Sequence, residues 1–440
     1  MRKKSFKRGV HPPENKKWTR GIPIEVMPAP KRVVIPLQQH TGAICEPLVA
    51  AGDQVKAGQK IGEGKSLISA PVHASITGKV IACEPHPHPV LPNPVNSIII
   101  ERGEGEEEAS WLSTQSWKGL APDEIKARIR EAGIVGLGGA AFPTHVKLSP
   151  PPQKKIDTFI LNGSECEPYL TTDHRLMLEN PDEILEGVKI ILRALGIRRA
   201  FIGIELNKLD AIRVMEERCK SEDTFQIEVV PLKVKYPQGA EKQLIKAILD
   251  REVPRGGLPF DVGVLVQNVG TAFAIYEAVV KGKPLIERVI TVSGNGINEK
   301  KNLRVKIGTL FSDVIEYCGG LRLKENIKLV MGGPMMGIAQ YTAEVPVIKG
   351  TSGILVLEDF DEKEKPCIKC GRCVDVCPMY LMPYRIAELI QKENFTMSDN
   401  YGVRDCIECG CCAYVCPARI PHVHLVKYAK VTLAKAKASK

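Results

Sequence analysis

The sequence predicts a multidomain α/β protein that begins with a β-rich module and ends in a helical, cysteine-rich domain. Short β-type runs separated by Gly, Pro and Asp turns occupy residues 33–102. Strand-like and helix-like segments alternate from residue 155, and two copies of one cysteine pattern follow near the C-terminus. With 440 residues and 44% hydrophobic content, the chain is long enough for about three domains that each bury a core.

The formal net charge of +10 is concentrated at the two ends of the chain. We assign a basic N-terminal extension to 1–32 and a basic tail to 426–440, with cations at Arg2, Lys3, Lys4, Lys7, Arg8, Lys427, Lys430, Lys435, Lys437 and Lys440. Basic termini suit a membrane surface or an acidic protein partner, and solvated flexible tails are an equal alternative. Nucleic-acid binding is disfavoured, because no basic stretch alternates with aromatic residues, which are only 5% of the chain.

Cysteine usage and hydropathy indicate a soluble or peripheral protein in a reducing compartment. Nine of the 14 cysteines lie from Cys367 to Cys416, and the others are scattered without a pairing pattern. The most apolar stretch, residues 262–280, is interrupted by polar side chains and is not typical of a transmembrane helix. The N-terminus lacks the apolar core of a signal peptide, so we expect the cytoplasmic side.

The first module spans 33–105 and resembles the barrel-sandwich of lipoyl and biotinyl carrier domains. The resemblance rests on G-D-x-V-x-x-G-Q at 52–59 and A-P-V-x-x-x-x-x-G-x-V at 70–80. The hairpin that carries the modified lysine in such domains is shortened here to GEGKSLIS. We therefore expect a docking module without a prosthetic group. Attachment at Lys65 is the alternative.

A glycine-rich stretch follows an acidic loop at 101–108 and a helix predicted from Pro122. Gly136, Gly138 and Gly139 leave the backbone N–H groups free to approach a phosphate or a planar ring, and Lys147 supplies a positive charge. The loop does not fit the dinucleotide pattern G-x-G-x-x-G, and a glycine-rich loop alone is also typical of ordinary turns.

The segments after this loop alternate as in a parallel sheet with crossover helices. Strands are predicted at 156–161, 200–205 and 225–231, helices at 182–195 and 209–219, and a polar loop at 162–175. Ligands bind at the carboxyl ends of such strands, where the acidic loop 162–168 lies. Because carboxylates repel phosphate, we expect Glu165 and Glu167 to hold ring nitrogens or ribose hydroxyls.

Each of the two cysteine runs, at 367–378 and 406–417, reads C-x-x-C-x-x-C-x-x-x-C-P, the spacing that binds [4Fe–4S] clusters in bacterial ferredoxins. In that pattern the fourth cysteine of each run ligates the other cluster. The predicted ligands are Cys367, Cys370, Cys373 and Cys416 for one cluster, and Cys406, Cys409, Cys412 and Cys377 for the other. A pair of zinc knuckles is the alternative, but zinc gives no reason for the repeated third spacing and Cys-Pro. Cys411 is surplus, a bystander thiol near a cluster.

Four motifs resemble, in the same order, those of the NADH-binding flavoprotein subunit of respiratory complex I. They are GLGGAAFPTHVK at 136–147, NGSECEP at 162–168, YPQGAE at 236–241 and QNVGT at 267–271. The resemblance implies a Rossmann-like FMN/NADH domain over 118–285, and residues 292–333 resemble the β-grasp domain that follows it, here 286–350. With a two-cluster ferredoxin domain at 360–425, the whole chain is similar to the RnfC family of the Rnf electron transport complex.

The resemblance assigns candidate residues one by one. Positions that match the FMN site are Gly136, Gly138, Lys147, Asn162, Glu165, Gly239 and Asn268. Gly139 and Glu167 join them as cofactor-binding candidates, and Phe142 and Glu241 match positions that face the nicotinamide nucleotide. The sequence departs from the complex I pattern at Ser164, Ala240 and Gln267. No catalytic side chain is expected, because hydride transfer needs no general acid or base.

The family implies a peripheral subunit, on the cytoplasmic side of the cell membrane, of an ion-translocating ferredoxin:NAD⁺ oxidoreductase. Its cofactors would be non-covalent FMN, NAD(H) and two [4Fe–4S] clusters, since a flavin must stand between two-electron and one-electron carriers. Its partners would be membrane-embedded and iron–sulfur subunits, and ferredoxin indirectly, without a transmembrane helix of its own. Alternatives are a cobalamin reductase of propanediol-utilising compartments and a non-catalytic iron–sulfur relay subunit. We expect the cluster of the second run, beside the basic tail, to face a partner protein.

Overall fold

The computed structural model describes residues 4–103, 111, 116–220, 222, 224–360 and 363–438. Arg2, Lys3 and Lys440 of the basic termini lie outside the described residues, as do residues 104–108 of the acidic loop. The described part forms four sheets with helices around them. No helix within it is long and apolar enough to cross a membrane.

The basic N-terminal segment, residues 4–26, packs along the rest of the protein. Lys4 forms a parallel bridge to Leu232, and Val10 an antiparallel bridge to Tyr236. After a 3₁₀ turn at Lys16–Trp18, strand β1 (Ile24–Val26) joins a sheet of the third domain. The alternative of a solvated tail is therefore wrong for this end of the chain, because its backbone is hydrogen-bonded to three other domains.

The first module consists of two small antiparallel sheets that enclose one core. Its strands are β2 (Arg32–Pro36), β3 (Glu46–Pro47), β4 (Gln54–Val55), β5 (Lys60–Glu63), β6 (Val72–His73), β7 (Gly78–His86) and β8 (Val95–Arg102). The sheets run β2-β8-β7-β4 and β3-β5-β6. Val33, Ile35, Val80, Ile98 and Ile100 alternate into the core between them, which confirms the predicted β-rich module.

The second domain is built on a parallel sheet in the order β11-β10-β9-β12. Its elements are α1 (Pro122–Glu131), α2 (Thr144–Lys147), β9 (Thr158–Gly163), α3 (Thr172–Glu179), α4 (Pro181–Leu195), β10 (Arg199–Glu205), α5 (Leu209–Cys219), β11 (Gln226–Leu232), α6 (Glu241–Leu249), a 3₁₀ turn (Pro259–Val262), β12 (Val264–Asn268) and α7 (Val269–Lys281). The predicted parallel sheet is confirmed, with strand and helix ends shifted by one or two residues.

Helix α3 was not predicted, since its first residues were assigned to a polar loop. The carboxylate of Glu165 accepts hydrogen bonds from the N–H groups of Asp173 and His174, at 2.7 and 3.4 Å. These are donors that the first turn of a helix leaves unpaired. The cap comes from outside the helix and several residues upstream, so no local capping pattern signalled it.

The third domain contains a mixed sheet in the order β1-β14-β13-β17-β15-β16. Its elements are β13 (Glu287–Ser293), β14 (Lys301–Lys306), α8 (Phe311–Tyr317), β15 (Ile327–Met331), β16 (Ile338–Gln340) and β17 (Gly353–Glu358). Phe311 and Val314 of α8 pack on Ile290, Val292 and Leu303 of the sheet. One helix thus covers a face of this sheet, while the N-terminal segment supplies its edge strand.

The cysteine-rich domain is helical, as predicted. It contains α9 (Arg372–Asp375), α10 (Pro383–Gln391), α11 (Phe395–Asn400), a 3₁₀ turn (Val403–Asp405), α12 (Cys411–Tyr414) and α13 (His422–Ala438). Helix α13 continues through the predicted boundary between residues 425 and 426. Lys430 lies 2.6 Å from a carboxylate oxygen of Glu408, so this part of the predicted tail belongs to the folded domain.

Gly187 allows helices α4 and α7 to approach each other. A Cβ atom at this position would lie 1.9 Å from the carbonyl oxygen of Ala272. We expect Gly187→Ala to lower the free energy of unfolding by about 2–3 kcal/mol, because the two helices must move apart. Calorimetric melting of the variant measures this effect. Gly119→Ala is the control, since a Cβ there meets nothing within 4 Å, and equal melting of both variants would contradict the argument.

Candidate functional site

The glycine loop presents bare backbone at the carboxyl edge of the parallel sheet. The N–H of Gly136 donates to the carbonyl of Phe142 at 2.8 Å, which closes the loop. A Cβ on Gly138 would lie 3.4 Å from that of Asn268, and one on Gly139 would project into open space. Gly139 has a φ of +107°, a conformation that favours glycine. The loop therefore offers its main chain to a ligand above the end of β12.

Three other predicted residues meet below this loop. Asn162 and Asn268 are register partners at the ends of β9 and β12. The amide of Asn162 donates to the carbonyl of Gly239 at 2.8 Å, which joins loop 162–168 to the turn at 236–241. Parallel strands end at the same edge of a sheet, so residues distant in sequence converge here. We call this region, from the glycine loop to Gly239, the cleft.

Lys147 and Glu241 form an ion pair at the cleft. The Lys147 Nζ lies 2.6 Å from the Glu241 Oε1, and both side chains are partly exposed. Phe142 is also partly exposed. The cleft thus holds a cation that an incoming phosphate can reach, next to a carboxylate that would compete for it.

Glu165, which we expected to hold a ring nitrogen or a ribose hydroxyl, contacts a helix end and a lysine in the structure. The Glu165 carboxylate caps α3 and lies 3.8 Å from the Nζ of Lys16. Contact of Glu165 with a flavin or a ribose stays a prediction.

Glu167 turns towards the third and the cysteine-rich domains. Its carboxylate accepts from the N–H groups of Met335 and Met336 at 3.1 and 2.9 Å, and from the Tyr236 hydroxyl at 3.4 Å. Burial raises the pKa of the Glu167 carboxyl to about 7. Its oxygens accept from these donors at a domain junction, so contact of Glu167 with a ring nitrogen or a ribose hydroxyl stays a prediction that this geometry does not favour.

A buried polar network that the sequence did not reveal supports the cleft from behind. The Asn268 amide donates to the Asp173 carboxylate at 2.6 Å. Arg288, from β13 of the third domain, donates to the carbonyls of Leu137 and Thr351 at 3.4 and 3.0 Å. Burial, followed by the nearby Glu165, raises the pKa of Asp173 to about 7. A lone arginine in a later strand carries no sequence signal for this role.

Two of the three departures from the complex I pattern leave buried polar atoms without partners. Among the described residues, the Oγ of Ser164 and the Nε2 of Gln267 make no hydrogen bond. Such atoms cost free energy unless a ligand or water satisfies them. Together with the open glycine loop, the lysine and the two asparagines, they fit a bound flavin nucleotide, whose phosphate needs cations and whose ring needs polar partners.

The structure brings the two predicted cysteine quartets together around two separate cavities. The inner cavity is lined by Cys377, Cys406, Cys409 and Cys412, with the surplus Cys411 beside them. The outer cavity is lined by Cys367, Cys370, Cys373 and Cys416. Each cavity thus takes three of its cysteines from one run and the fourth from the other run. This arrangement fits clusters that bridge their ligands.

The inner cavity packs against the second domain. The hydroxyl of Tyr236 donates to the carbonyl of Cys409 at 2.8 Å, and the amide of Gln243 donates to that of Pro378 at 3.3 Å. By contrast, Cys367 and Cys370 of the outer cavity are exposed. The expectation that the second run's cluster faces a partner protein is therefore wrong. Its loop, residues 406–412, is partly or fully buried at a domain junction, whereas Cys367 and Cys370 of the first run face outwards.

Comparisons with known proteins agree with this arrangement. The RnfC barrel sandwich hybrid domain matches residues 4–105, the Nuo51 FMN-binding domain 129–277, the SLBB domain 289–339 and the 4Fe-4S dicluster domain 360–417. The C subunit of a proton-translocating ferredoxin:NAD(+) oxidoreductase complex from Clostridium ljungdahlii is 50% identical over 97% of this chain and 93% of its own length. The chain belongs to the RnfC family.

A second RnfC relative is the C subunit of an Na(+)-translocating ferredoxin:NAD(+) oxidoreductase complex from Acetobacterium woodii. It is 46% identical over 97% of this chain and 96% of its own length. A solved NAD+-reducing [NiFe]-hydrogenase in the H2-reduced state is 18% identical, with a TM-score of 0.51, over 70% of this chain and 63% of its own. That likeness shows a shared fold alone. The predicted multidomain α/β organisation with FMN-binding and two-cluster domains is confirmed.

The raised pKa of Glu167 predicts a pH-dependent effect of Glu167→Gln. The folded protein holds this proton up to about pH 7, whereas the unfolded chain loses it near 4.5. The Glu167 contribution to stability is thus present below the unfolded pKa and lost as pH rises through the folded one. We expect the variant to match the wild type near pH 4 and to be more stable by up to about 3 kcal/mol near pH 8.5.

Urea unfolding at the two pH values measures this difference. The exposed Glu84→Gln is the control, because it removes the same charge without a burial penalty. A stability gain for Glu167→Gln that is the same at both pH values would contradict the assignment.

Proposed function

We propose that this chain exchanges electrons between NAD(H) and a membrane-bound, ion-translocating ferredoxin:NAD⁺ oxidoreductase complex. One observation carries the proposal. The short turn from Tyr236 to Gly239 serves two sites at once, since Gly239 accepts the Asn162 amide in the cleft and Tyr236 donates to Cys409 at the inner cavity. A nucleotide cleft and a cysteine cavity joined this closely suit transfer of electrons between them.

The residues of the cleft have distinct parts in this proposal. The backbone of Gly136, Gly138 and Gly139 would hold the flavin nucleotide, Lys147 would neutralise its phosphate, and Asn162, Asn268 and Gly239 would fix its position. Phe142 and Glu241 would face the nicotinamide nucleotide. When bound, FMN supplies the conversion between two-electron hydride chemistry and one-electron transfer. Arg288 and Asp173 hold the glycine loop and Asn268 in place from behind.

The positions of the two cysteine quartets indicate the order in which electrons would pass between the cleft and the protein surface. The inner quartet, Cys377, Cys406, Cys409 and Cys412, adjoins the cleft, and the outer quartet, Cys367, Cys370, Cys373 and Cys416, opens to solvent. Ile368, between two outer cysteines, is 70% exposed. We infer that iron–sulfur or membrane-embedded subunits of the complex exchange electrons at this outer face, with ferredoxin acting indirectly.

Finer points of architecture and location belong to the same proposal. The parallel sheet with flanking helices supports a Rossmann-like flavin domain over 118–285, and the helix-covered mixed sheet supports a β-grasp domain over 286–350. The proposed division of the chain into domains also includes the β-rich module at 33–105, the two-cluster domain at 360–425 and the terminal segments. The protein would be a peripheral subunit on the cytoplasmic side of the membrane, and the relatives from ion-translocating complexes support a place beside membrane-embedded partners.

Anaerobic purification of the full chain, with chemical analysis and an NADH titration, tests the proposal. We expect one FMN and two clusters, which is about eight iron and eight sulfide per chain, and bleaching of the flavin by NADH. Clusters without FMN would instead support a relay subunit. A flavin that NADH does not reduce would contradict exchange with NAD(H), and reduction of a corrinoid would favour the cobalamin reductase.

Lys147→Met is expected to weaken FMN binding about 10- to 100-fold, because a charged hydrogen bond to the phosphate is lost. Fluorescence titration of the flavin-free chain with FMN measures the dissociation constant. Lys154→Met is the matched control, since Lys154 pairs with Asp261 at 2.8 Å and is not among the cleft residues. Unchanged FMN affinity in Lys147→Met would remove Lys147 from the site.

The fourth cysteine of each run is assigned to the cluster of the other run, and this assignment predicts which cluster each cysteine variant loses. We expect the Cys416→Ser and Cys367→Ser variants each to lose the outer cluster, although the two cysteines belong to different runs. We expect the Cys377→Ser variant to lose the inner cluster. Electron paramagnetic resonance spectra of the reduced proteins identify the remaining cluster. Cys411→Ser is the control and should retain both. If Cys416→Ser and Cys409→Ser lost the same signal, the assignment would be wrong.

A further inference from the structure

The N-terminal segment reaches the loop that carries Cys377, the inner-cavity cysteine from the first run. The N–H of Gly9 donates to the carbonyl of Val376 at 3.0 Å. The guanidinium of Arg8 donates to the carbonyl of Val374 at 2.9 Å and lies 4.1 Å from the centre of the Tyr380 ring. Since Cys377 stands between these contact points in the sequence, Arg8 is held next to it.

The second domain also holds the N-terminal segment next to Arg8. Val10 and Tyr236 exchange backbone hydrogen bonds of 2.8 and 2.9 Å, and a Cβ on Gly9 would lie 2.4 Å from the Tyr236 carbonyl oxygen. Tyr236 in turn donates to Cys409, another inner-cavity cysteine. The main chain that follows Arg8 is therefore held between the Val376 carbonyl and the Tyr236 turn, which keeps Arg8 beside the loop of Cys377.

The charge of Arg8 is not balanced by an ion pair among the described residues. Its guanidinium contacts a carbonyl oxygen and an aromatic ring there, neither of which carries a negative charge. The nearby cation Lys430 is different, because Glu408 neutralises it at 2.6 Å. Asp375, in the same loop as Val374, is exposed, so solvent screens its charge.

The surroundings let this charge act on the inner cavity. Apolar side chains line much of it, including Leu381, Ile386, Ile407 and Val426. A charge acts more strongly across such a lining than through water. Net charge, hydrogen bonds and solvent exposure are the properties by which proteins set the reduction potential of iron–sulfur clusters.

We propose that Arg8 is a positioning residue that raises the reduction potential of the inner cluster. An electron that enters the cluster adds one negative charge, which a fixed neighbouring cation stabilises. That electron is one of those exchanged with NAD(H) or with the partner subunits in the proposed function, and no bond to Arg8 forms or breaks. The inference rests on the part of the proposed function that assigns a cluster to the inner quartet.

Redox titration of the full-length chain, monitored by electron paramagnetic resonance, tests this inference. We expect Arg8→Gln to lower one of the two cluster midpoints, so that the ratio of reduced to oxidised cluster at the wild-type midpoint falls about tenfold, or 59 mV for one electron. The other midpoint should stay unchanged. Arg8→Lys keeps the charge and should retain most of the wild-type value.

Lys7→Gln is the matched control. Lys7 is the neighbour of Arg8 in the sequence and its side chain is exposed, and the substitution removes the same positive charge. Iron and sulfide are counted first, because fewer than two clusters in the wild type would refute the proposed function rather than the role of Arg8. If Arg8→Gln loses iron, Arg8→Met, which keeps an apolar stem over Tyr380, replaces it under the same criteria.

Three results would overturn the role of Arg8 in a protein that retains both clusters. The first is unchanged midpoints in Arg8→Gln. The second is a shift no larger than that of Lys7→Gln. The third is an equal shift in Arg8→Lys and Arg8→Gln, which would show that hydrogen-bond geometry rather than charge is responsible.

Discussion

The hydroxyl of Tyr236 donates to the main-chain carbonyl of Cys409. Three residues later the carbonyl of Gly239 receives the amide of Asn162. This single turn therefore contacts both the cleft and the inner cavity and ties one to the other. Tyr236 is fully buried, so its ring fills the junction while its hydroxyl satisfies a carbonyl that would otherwise lie unpaired. The cleft, the inner cavity and the N-terminal segment all make contact with this turn or with residues next to it.

The N-terminal segment reinforces the same junction through a buried lysine. The ammonium of Lys16 donates to the carbonyls of Glu165 and Glu167, at 2.8 and 2.9 Å, and to that of Leu170. Burial lowers the pKa of Lys16, and Glu165 opposes this effect. A buried cation is tolerated when its donors are all occupied, as they are here. The loop that contributes Asn162 to the cleft is thereby fixed by a residue from the N-terminal end of the chain.

Ionisable groups are concentrated where domains meet rather than at the cleft surface. Glu167 joins the second domain to the third, and Arg288 extends from the third domain under the glycine loop. Burial lowers the pKa of Arg288 to about 10 and raises that of Glu167. Removing the partners of either group would leave it buried and unpaired, which is more costly than the contact itself contributes. These contacts therefore specify how the domains are oriented.

The amino-acid sequence by itself determined the parallel sheet, the glycine loop and the composition of the two cysteine quartets. Each depends on spacing within a short segment or on a regular alternation, which dictates backbone conformation locally. The tertiary structure decided which quartet adjoins the cleft, where Glu167 points, and which distant segments Arg8 and Arg288 contact. Arg8 and Val374 are 366 positions apart, and Arg288 and Leu137 are 151 apart. No local pattern encodes such contacts, because they arise only from the way whole domains pack against each other.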